Sequence, residues 1–239
     1  MGAGGGGRVA VEVVAMADAH AQHATETQQV TEIMFTAEFW DERYGSTDRV
    51  WSGNPNPHLV TTVAGLAPGD ALDVGSGEGA DAVWLAGQGW RVTGVDVSQV
   101  ALGRAAAHAA ERGGQLAERI TWQQVDVLSW DPAPARYDLV SAQFMHLPRP
   151  ALEALHRRLA AAVRPGGTLL IVGHHPSDLE TTIGRPRLPE LMFTAEQVAA
   201  TLDERAWEIR AETPGREVTG PDGLPVTIHD AVLTAVRRR

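Results

Sequence analysis

Three observations predict an α/β fold. From Ala71 onward, short apolar strands alternate with amphipathic helices, the pattern of a parallel sheet covered on both faces. The first strand, "ALDV", runs directly into a glycine-rich turn, "GSGEG"; in doubly wound sheets ligands bind at such strand ends. The last two strands are joined by the turn "TGPDGLP" with no helix between them, so they pair antiparallel. The expected architecture is a Rossmann-like doubly wound seven-stranded mostly parallel sheet with a C-terminal antiparallel hairpin.

The elements follow in order. Residues 1–33 hold a glycine run and few large apolar side chains, which predicts a flexible N-terminal arm. His20 and His23 stand there at helical spacing, but no further ligands lie nearby to complete a metal site. Thr36 is expected to cap a helix carrying Phe39, Trp40 and Tyr44. A second helix is expected with Asn54 as its cap and Pro55 in its first position. "GADAVWLAGQ", "SQVALGRAAAHAAERG" and "PALEALHRRLAAAV" are the helices between strands, the middle one capped by Ser98 and closed near Gly113. "RVTGVDV", "ITWQQVDV", "YDLVSAQF" and "GTLLIVG" are strands two to five. In "TAEQVAATLD", Thr194 and Gln197 have capping-box spacing. "AWEIRAET" and "VTIHDAVLTAV" complete the sheet. The segment from His175 to Met192 has no clear periodicity; long loops of this kind often form lids or substrate-binding segments, and Arg185 and Arg187 within it suit either an acidic acceptor or solvent.

Composition narrows the chemistry. There are no cysteines, and all 20 residues counted as lysine or arginine are arginine. Disulfides, thiolate nucleophiles, Schiff-base lysines and the phosphate-binding lysine of nucleotidases are thereby excluded. A formal charge of −10 is a poor match for nucleic acid, and the terminal Arg237–Arg239 cluster reads as a solvated tail. No apolar run is long enough for a membrane span. The opening residues lack the order of a secretion signal, so a cytoplasmic location is expected.

Carboxylates surround the glycine turn, which is unusual for a phosphate cradle. Asp73 precedes Gly75-Ser76-Gly77, and the third glycine, Gly79, comes one position earlier than in a dinucleotide fingerprint. A carboxylate there repels pyrophosphate and attracts a cation such as an ammonium or a sulfonium. Asp96 ends the next strand, where an acid can bond both hydroxyls of a ribose. Val97 is placed to lie against a purine face, and Asp126, ending the third strand, to accept from an exocyclic amine. The three acids suit a ligand with ammonium, ribose and adenine but no phosphate. Each has a plainer reading: Asp73 as a cap on the loop backbone, Asp96 as a strand-end acid, Asp126 as part of a polar turn. Glu78 either reaches the amino group through water or faces solvent, and solvent is the expectation.

"ALDVGSGEGADAVWLAGQGWRVTGVDVS", "VDVLSW", "YDLVSAQFMHLP" and "VRPGGTLLIVG" resemble, in order and spacing, the class I S-adenosylmethionine-dependent methyltransferases. The resemblance covers roughly residues 36–236, and "FWDERYGSTDRVWSGNPN" is similar to the small branch related to thiopurine and tellurite methyltransferases. It implies a methyltransferase domain over 34–239, using S-adenosylmethionine and releasing S-adenosylhomocysteine. By this resemblance Asp73, Gly75, Ser76 and Gly77 hold the methionine end. Asp96 binds the ribose, while Val97, Asp126 and Val127 frame the adenine. Gln143 lies near the methionine part or the acceptor. Trp40, Tyr44 and Trp51 close over the cofactor, although as ordinary packing aromatics they would look the same in sequence. Val127 has the same ambiguity as a core residue. Trp84, Trp90, Trp122, Trp130 and Trp207 are expected to be packing residues.

Methyl transfer needs a base only where the nucleophile must lose a proton. His146 after the fourth strand and His174 and His175 after the fifth lie at the carboxyl ends of strands, and histidine titrates in the right range. Adjacent residues on an extended segment point opposite ways, so of the latter two His174 is the expected pocket residue. No metal is expected, since Ser141, Gln143 and His174 stand where metal-dependent catechol-type methyltransferases place Asp and Asn ligands. The acceptor is expected to be a small molecule methylated at O, N or S, by a monomer or homodimer, with no nucleic-acid or membrane partner. A nicotinamide-nucleotide-dependent oxidoreductase and a non-catalytic S-adenosylmethionine-binding module are the alternatives. Asp73, the early third glycine and the terminal hairpin weigh against the oxidoreductase, and the completeness of the cofactor motifs weighs against the module.

Overall fold

The structure, a computed structural model, describes residues 35–184 and 188–239. The expected arm with His20 and His23, and the loop arginines Arg185 and Arg187, lie outside the described residues.

Two helices, α1 (Ala37–Gly45) and α2 (Pro57–Val63), precede the sheet. Then come β1 (Asp70–Val74), α3 (Ala80–Gly87), β2 (Arg91–Asp96), α4 (Gln99–Glu111), the single turn α5 (Gly114–Ala117) and β3 (Ile120–Gln124). The second half is β4 (Tyr137–Gln143), α6 (Arg149–Ala162), β5 (Val163–His174), α7 (Ala195–Ala199), β6 (Trp207–Glu212), β7 (Gly215–Thr219) and β8 (Pro225–Arg237). The strands lie in the order β3-β2-β1-β4-β5-β8-β6. The first five are parallel, and β8 runs antiparallel to both β5 and β6. The expected parallel sheet with its antiparallel C-terminal strands is therefore present, with one addition. The β7 strand pairs with the first half of β8 and lengthens the hairpin.

Strand alternation builds two cores. Leu72, Val74, Val140, Leu169 and Ile171 face Leu152, Leu155 and Leu159 of α6 and Val198 of α7. Their neighbours Ala71, Leu139, Leu170 and Val172 point the other way, onto Leu59 and Val63 of α2 and Val83, Leu85 and Ala86 of α3. Burying both faces is what a parallel sheet requires, and β1 is accordingly buried at every position. Trp90 and Trp207 are buried, and Trp84, Trp122 and Trp130 pack against the same cores, as expected. Gly173 lies in β5 where an added Cβ would overlap the Phe193 ring. Gly173→Ala is expected to lower stability by about 2 kcal/mol through overpacking. That corresponds to roughly 4–8 °C in thermal midpoint for a chain of this size, measured by calorimetry.

Most caps match expectation. Thr36 accepts from Phe39 N at 3.2 Å, Ser98 from Ala101 N at 3.0 Å, and Thr194 with Gln197 forms the capping box. The second helix starts two residues later than expected. Asn56, not Asn54, is its cap, accepting from His58 N at 2.9 Å, and Pro57 takes the first position. The Asn-Pro pair occurs twice in "NPNP". The second copy wins because Asn56 N is also held by Asp81 Oδ1 at 2.6 Å. The "RPGG" stretch belongs to the opposite end of the sheet from the glycine turn. Arg164 bonds Asp70 at 3.2 Å and Asp138 at 3.1 Å there, so it ties strand starts together. The Arg91 bond, joined by Arg136 and Arg164, holds the Asp70 carboxyl below the usual range although burial opposes it.

Candidate active site

The site forms at the carboxyl ends of β1, β2 and β4. Gly75, Gly77 and Gly79 all take positive φ, at 70°, 50° and 81°, which favours residues without a Cβ. Gly75 N and Ser76 N donate to Val95 O at 2.8 and 3.0 Å, fastening the loop to β2. An added Cβ at Gly75 would overlap Met145 Sδ, and one at Gly77 would sit 2.9 Å from the Tyr44 hydroxyl and 3.5 Å from Trp51 Nε1. The loop thus lies directly against Met145, Tyr44 and Trp51.

Buried acids line its floor. Asp73 is 2% exposed, and its Oδ2 has no hydrogen-bond partner among the described residues. Burial first, then the neighbouring Asp81 and Asp96, hold its carboxyl well above the usual range. Burial also lifts Asp81 to about 6. Asp96 is raised by burial against bonds from the backbone N–H groups of Ser98, Gly77 and Val97. Its Oδ2 accepts from Gly77 N at 2.8 Å and its Oδ1 from Ser98 N at 2.9 Å. Such crowding of like charge out of water is unfavourable without a cation, and it marks functional sites. Ser76 Oγ is a second buried group with no partner among the described residues. A cationic amino-acid ligand with further donors matches these orphaned acceptors.

Beyond the ends of β2 and β3, Val97 is half-buried and Asp126 exposed. One oxygen of Asp126 accepts from Leu128 N at 2.9 Å, so the polar-turn reading is realised. Val127 is buried within the core. Gln143 donates to Ser141 Oγ at 2.7 Å, and its Oε1 is buried with no partner among the described residues.

Glu78 corrects the expectation that it faces solvent. Its Oε2 accepts from Val50 N at 3.1 Å and Trp51 N at 3.2 Å, and its Oε1 pairs with Arg104 at 3.0 Å. Arg104 also donates to Thr47 O at 2.6 Å and Asp48 O at 3.3 Å. Residues 47–51 are therefore clasped down onto the cofactor loop by an acid within that loop. Asp41 adds a second staple, accepting from Ser98 Oγ at 2.5 Å and Val100 N at 3.1 Å at the start of α4. Trp51 Nε1 donates to Tyr44 Oη at 2.9 Å, and Trp40 packs on Tyr44 with centroids 5.9 Å apart. Burial pushes the Tyr44 hydroxyl up to about 12, keeping it protonated.

The ends of β4 and β5 are lined by stacked rings. Phe144 has φ of 54°, an uncommon conformation for a residue with a Cβ and one that clusters at functional sites. Its ring lies 4.5 Å from that of His174, which stacks on His146 at 4.9 Å and 12°. The structure thus brings together the two histidines singled out in sequence. His175 diverges, as alternation requires, bonding Ser177 Oγ at 2.9 Å. His58, Asp230, Arg216, Met145 and Asp81 were not singled out as site residues; their partners are too remote in sequence for a local pattern to reveal them.

Residues 71–167 match a family described as "Methyltransferase domain". The chain is 26% identical over 184 residues to 2-heptyl-1-hydroxyquinolin-4(1H)-one methyltransferase of Mycobacteroides abscessus, covering 73% of this chain and 75% of that protein. It is 34% identical over 176 residues to nocamycin O-methyltransferase of Saccharothrix syringae, covering 70% of this chain but 58% of that one. TehB from Haemophilus influenzae has a similar fold, with a TM-score of 0.63 at 18% identity, covering 85% of this chain and 67% of that one. No helix among the described residues is long and apolar enough to cross a membrane. Residues 71–167 thus carry a methyltransferase domain, and that match, the sheet order and the acid-lined glycine loop support an enzyme that uses S-adenosylmethionine.

Proposed function

We propose that the domain over residues 34–239 transfers the methyl group of S-adenosylmethionine to a hydroxyl oxygen of a flat, small-molecule acceptor. The observation that carries this reading is the aromatic stack of Phe144, His174 and His146 beside the acid-lined loop. It offers a planar molecule a matching wall next to the methyl donor. The relatives named for O-methylation and for a hydroxyquinolinone support oxygen and a heteroaromatic acceptor. The likeness to TehB supports the thiopurine and tellurite branch only at the level of the fold.

Bound cofactor supplies a carbon already activated by positive sulfur. The chain's own residues align and exclude water. Asp73, Gly75, Ser76 and Gly77 hold the methionine end, Asp96 the ribose, and Val97, Asp126 and Val127 the adenine. Gln143 orients the methionine part, while Trp40, Tyr44 and Trp51 close the site. His146 and His174 contact the acceptor. Incubation with methyl-labelled S-adenosylmethionine and 1-hydroxyquinolin-4(1H)-one, a catechol, a thiol and an amine tests the reading. Label in a methoxy product supports it; label only in the thioether or methylamine overturns the choice of oxygen.

The buried acids give the cofactor affinity a pH dependence. In the free protein the Asp73 and Asp96 carboxyls are raised, and Asp81 sits near 6. A raised carboxyl stabilises the fold fully below its ordinary pKa and loses that contribution as pH rises through the folded value. The ammonium of the ligand favours the ionised form, so binding releases protons at low pH. Affinity for S-adenosylhomocysteine is expected to hold above pH 7. Below pH 6 it should fall, by up to about tenfold per pH unit for each proton released. Calorimetric titrations at pH 5 and 7.5 check this; equal affinities would remove the acids from cofactor binding.

A further inference from the structure

His58 and Asp230 are 172 residues apart in sequence, yet His58 Nε2 lies 3.1 Å from Asp230 Oδ2. Asp230 is 1% exposed, and the same Oδ2 accepts from Arg216 Nε at 2.9 Å. Its other oxygen, Oδ1, is buried with no partner among the described residues. Burial works to raise this carboxyl, but the bonds from His58 and Arg216 outweigh it and hold it below the usual range. The aspartate is thus an anion kept in a dry place, facing one edge of an imidazole.

The position of the pair gives it a use. Asp230 is the cross-strand partner of His174, at the carboxyl end of β5. His58 sits in the first turn of α2, two residues after Asn56, whose N–H is held by Asp81 in the first turn of α3, just beyond the glycine loop. Alternation in β5 puts His174 on the same face as Leu170 and Val172, which pack on α2. His58 therefore bonds the strand residue paired with His174, two positions after the residue that Asp81 holds. Nε2 is the ring nitrogen that faces Asp230, and the side chain is 24% exposed.

We infer that His58 is a catalytic base for this methyltransferase, oriented by Asp230, with Arg216 as the positioning residue behind it. The inference rests on the reading of the chain as a hydroxyl methyltransferase. With Nε2–H donated to the carboxylate, Nδ1 carries the lone pair and takes the proton from the acceptor O–H. The oxygen electron pair then forms the O–CH3 bond as the C–S bond breaks, its electrons passing to sulfur to leave a neutral thioether. The proton on His58 is stabilised by the Asp230 carboxylate and leaves to solvent through the exposed edge. An aspartate that fixes the tautomer and stabilises the imidazolium in this way is a recurrent arrangement.

Two measurements on the full chain test it. Imidazole 15N NMR with S-adenosylhomocysteine at pH 8.5 should show His58 protonated on Nε2 and bare on Nδ1; the opposite tautomer overturns the assignment. His58→Gln, at a partly exposed position, keeps the fold and should bind S-adenosylhomocysteine as wild type does. Against 1-hydroxyquinolin-4(1H)-one and phenols of graded acidity, it should lose about 100-fold or more in kcat for acceptors that are protonated at the assay pH. For phenols already ionised at that pH the loss should stay within about threefold. Equal losses across the series, or none, would show that His58 only shapes the pocket. Asp230→Asn should reproduce the acidity dependence more weakly. If wild type methylates no hydroxyl in the series, the proposed function fails, and the NMR tautomer still decides the His58–Asp230 assignment.

Discussion

Asp96→Ala is expected to weaken S-adenosylhomocysteine binding by two to three orders of magnitude. Two losses add. The carboxylate bonds to the ribose hydroxyls disappear, each worth about 1.5–3 kcal/mol for a charged acceptor. The variant also strands Gly77 N and Ser98 N, which Asp96 holds at 2.8 and 2.9 Å. Gly77 then loses the bond that keeps it under Tyr44 and Trp51, so the loop is less well formed before the ligand arrives. Because Asp96 is a buried acid already raised by burial, its removal should disturb the fold far less than the affinity. Isothermal calorimetry alongside far-ultraviolet circular dichroism separates the two, and wild-type affinity in a folded variant would remove Asp96 as the ribose ligand.

Arg104→Met is expected to shorten cofactor residence by roughly tenfold. Arg104 joins Glu78 of the loop to the carbonyls of Thr47 and Asp48, and Glu78 in turn holds Val50 N and Trp51 N. Methionine retains most of the aliphatic bulk but none of the donors. Arg104 is 28% and Glu78 14% exposed at the side chain. The pair is therefore partly screened, and a net loss of about 1–1.5 kcal/mol is reasonable. Closure affects release more than chemistry, so kcat at saturating cofactor should change little if chemistry limits turnover. Stopped-flow tryptophan fluorescence during displacement of S-adenosylhomocysteine measures the rate. An unchanged rate would mean the segment over the loop does not govern release.

The parallel core was legible because both of its signals are local. Apolar runs such as "ALDV" and "LLIVG" set strands, and Ser98 and Thr194 start helices through bonds to residues three positions on. The cap of α2 was misplaced because two copies of Asn-Pro are equivalent in sequence. The choice between them is made by Asp81, 25 residues away. The β7 strand was not foreseen because "GREVT" is largely exposed and shows no apolar alternation; only its pairing with β8 makes it a strand. Glu78 looked like a solvent residue for the same reason, since its partners lie 26 to 28 residues away. His58 and Asp230 gave no local signal at all. The glycine loop and its acids are written in short motifs, whereas the His58–Asp230 pair is assembled by tertiary contact.

The central claim is that the acid-lined loop takes S-adenosylmethionine and not a phosphate-bearing dinucleotide. Calorimetric titration of the full chain with S-adenosylhomocysteine and, separately, with NADH tests it most directly. Saturable one-to-one heat with S-adenosylhomocysteine and none with NADH is the predicted result. Binding of NADH with no response to S-adenosylhomocysteine would contradict the account.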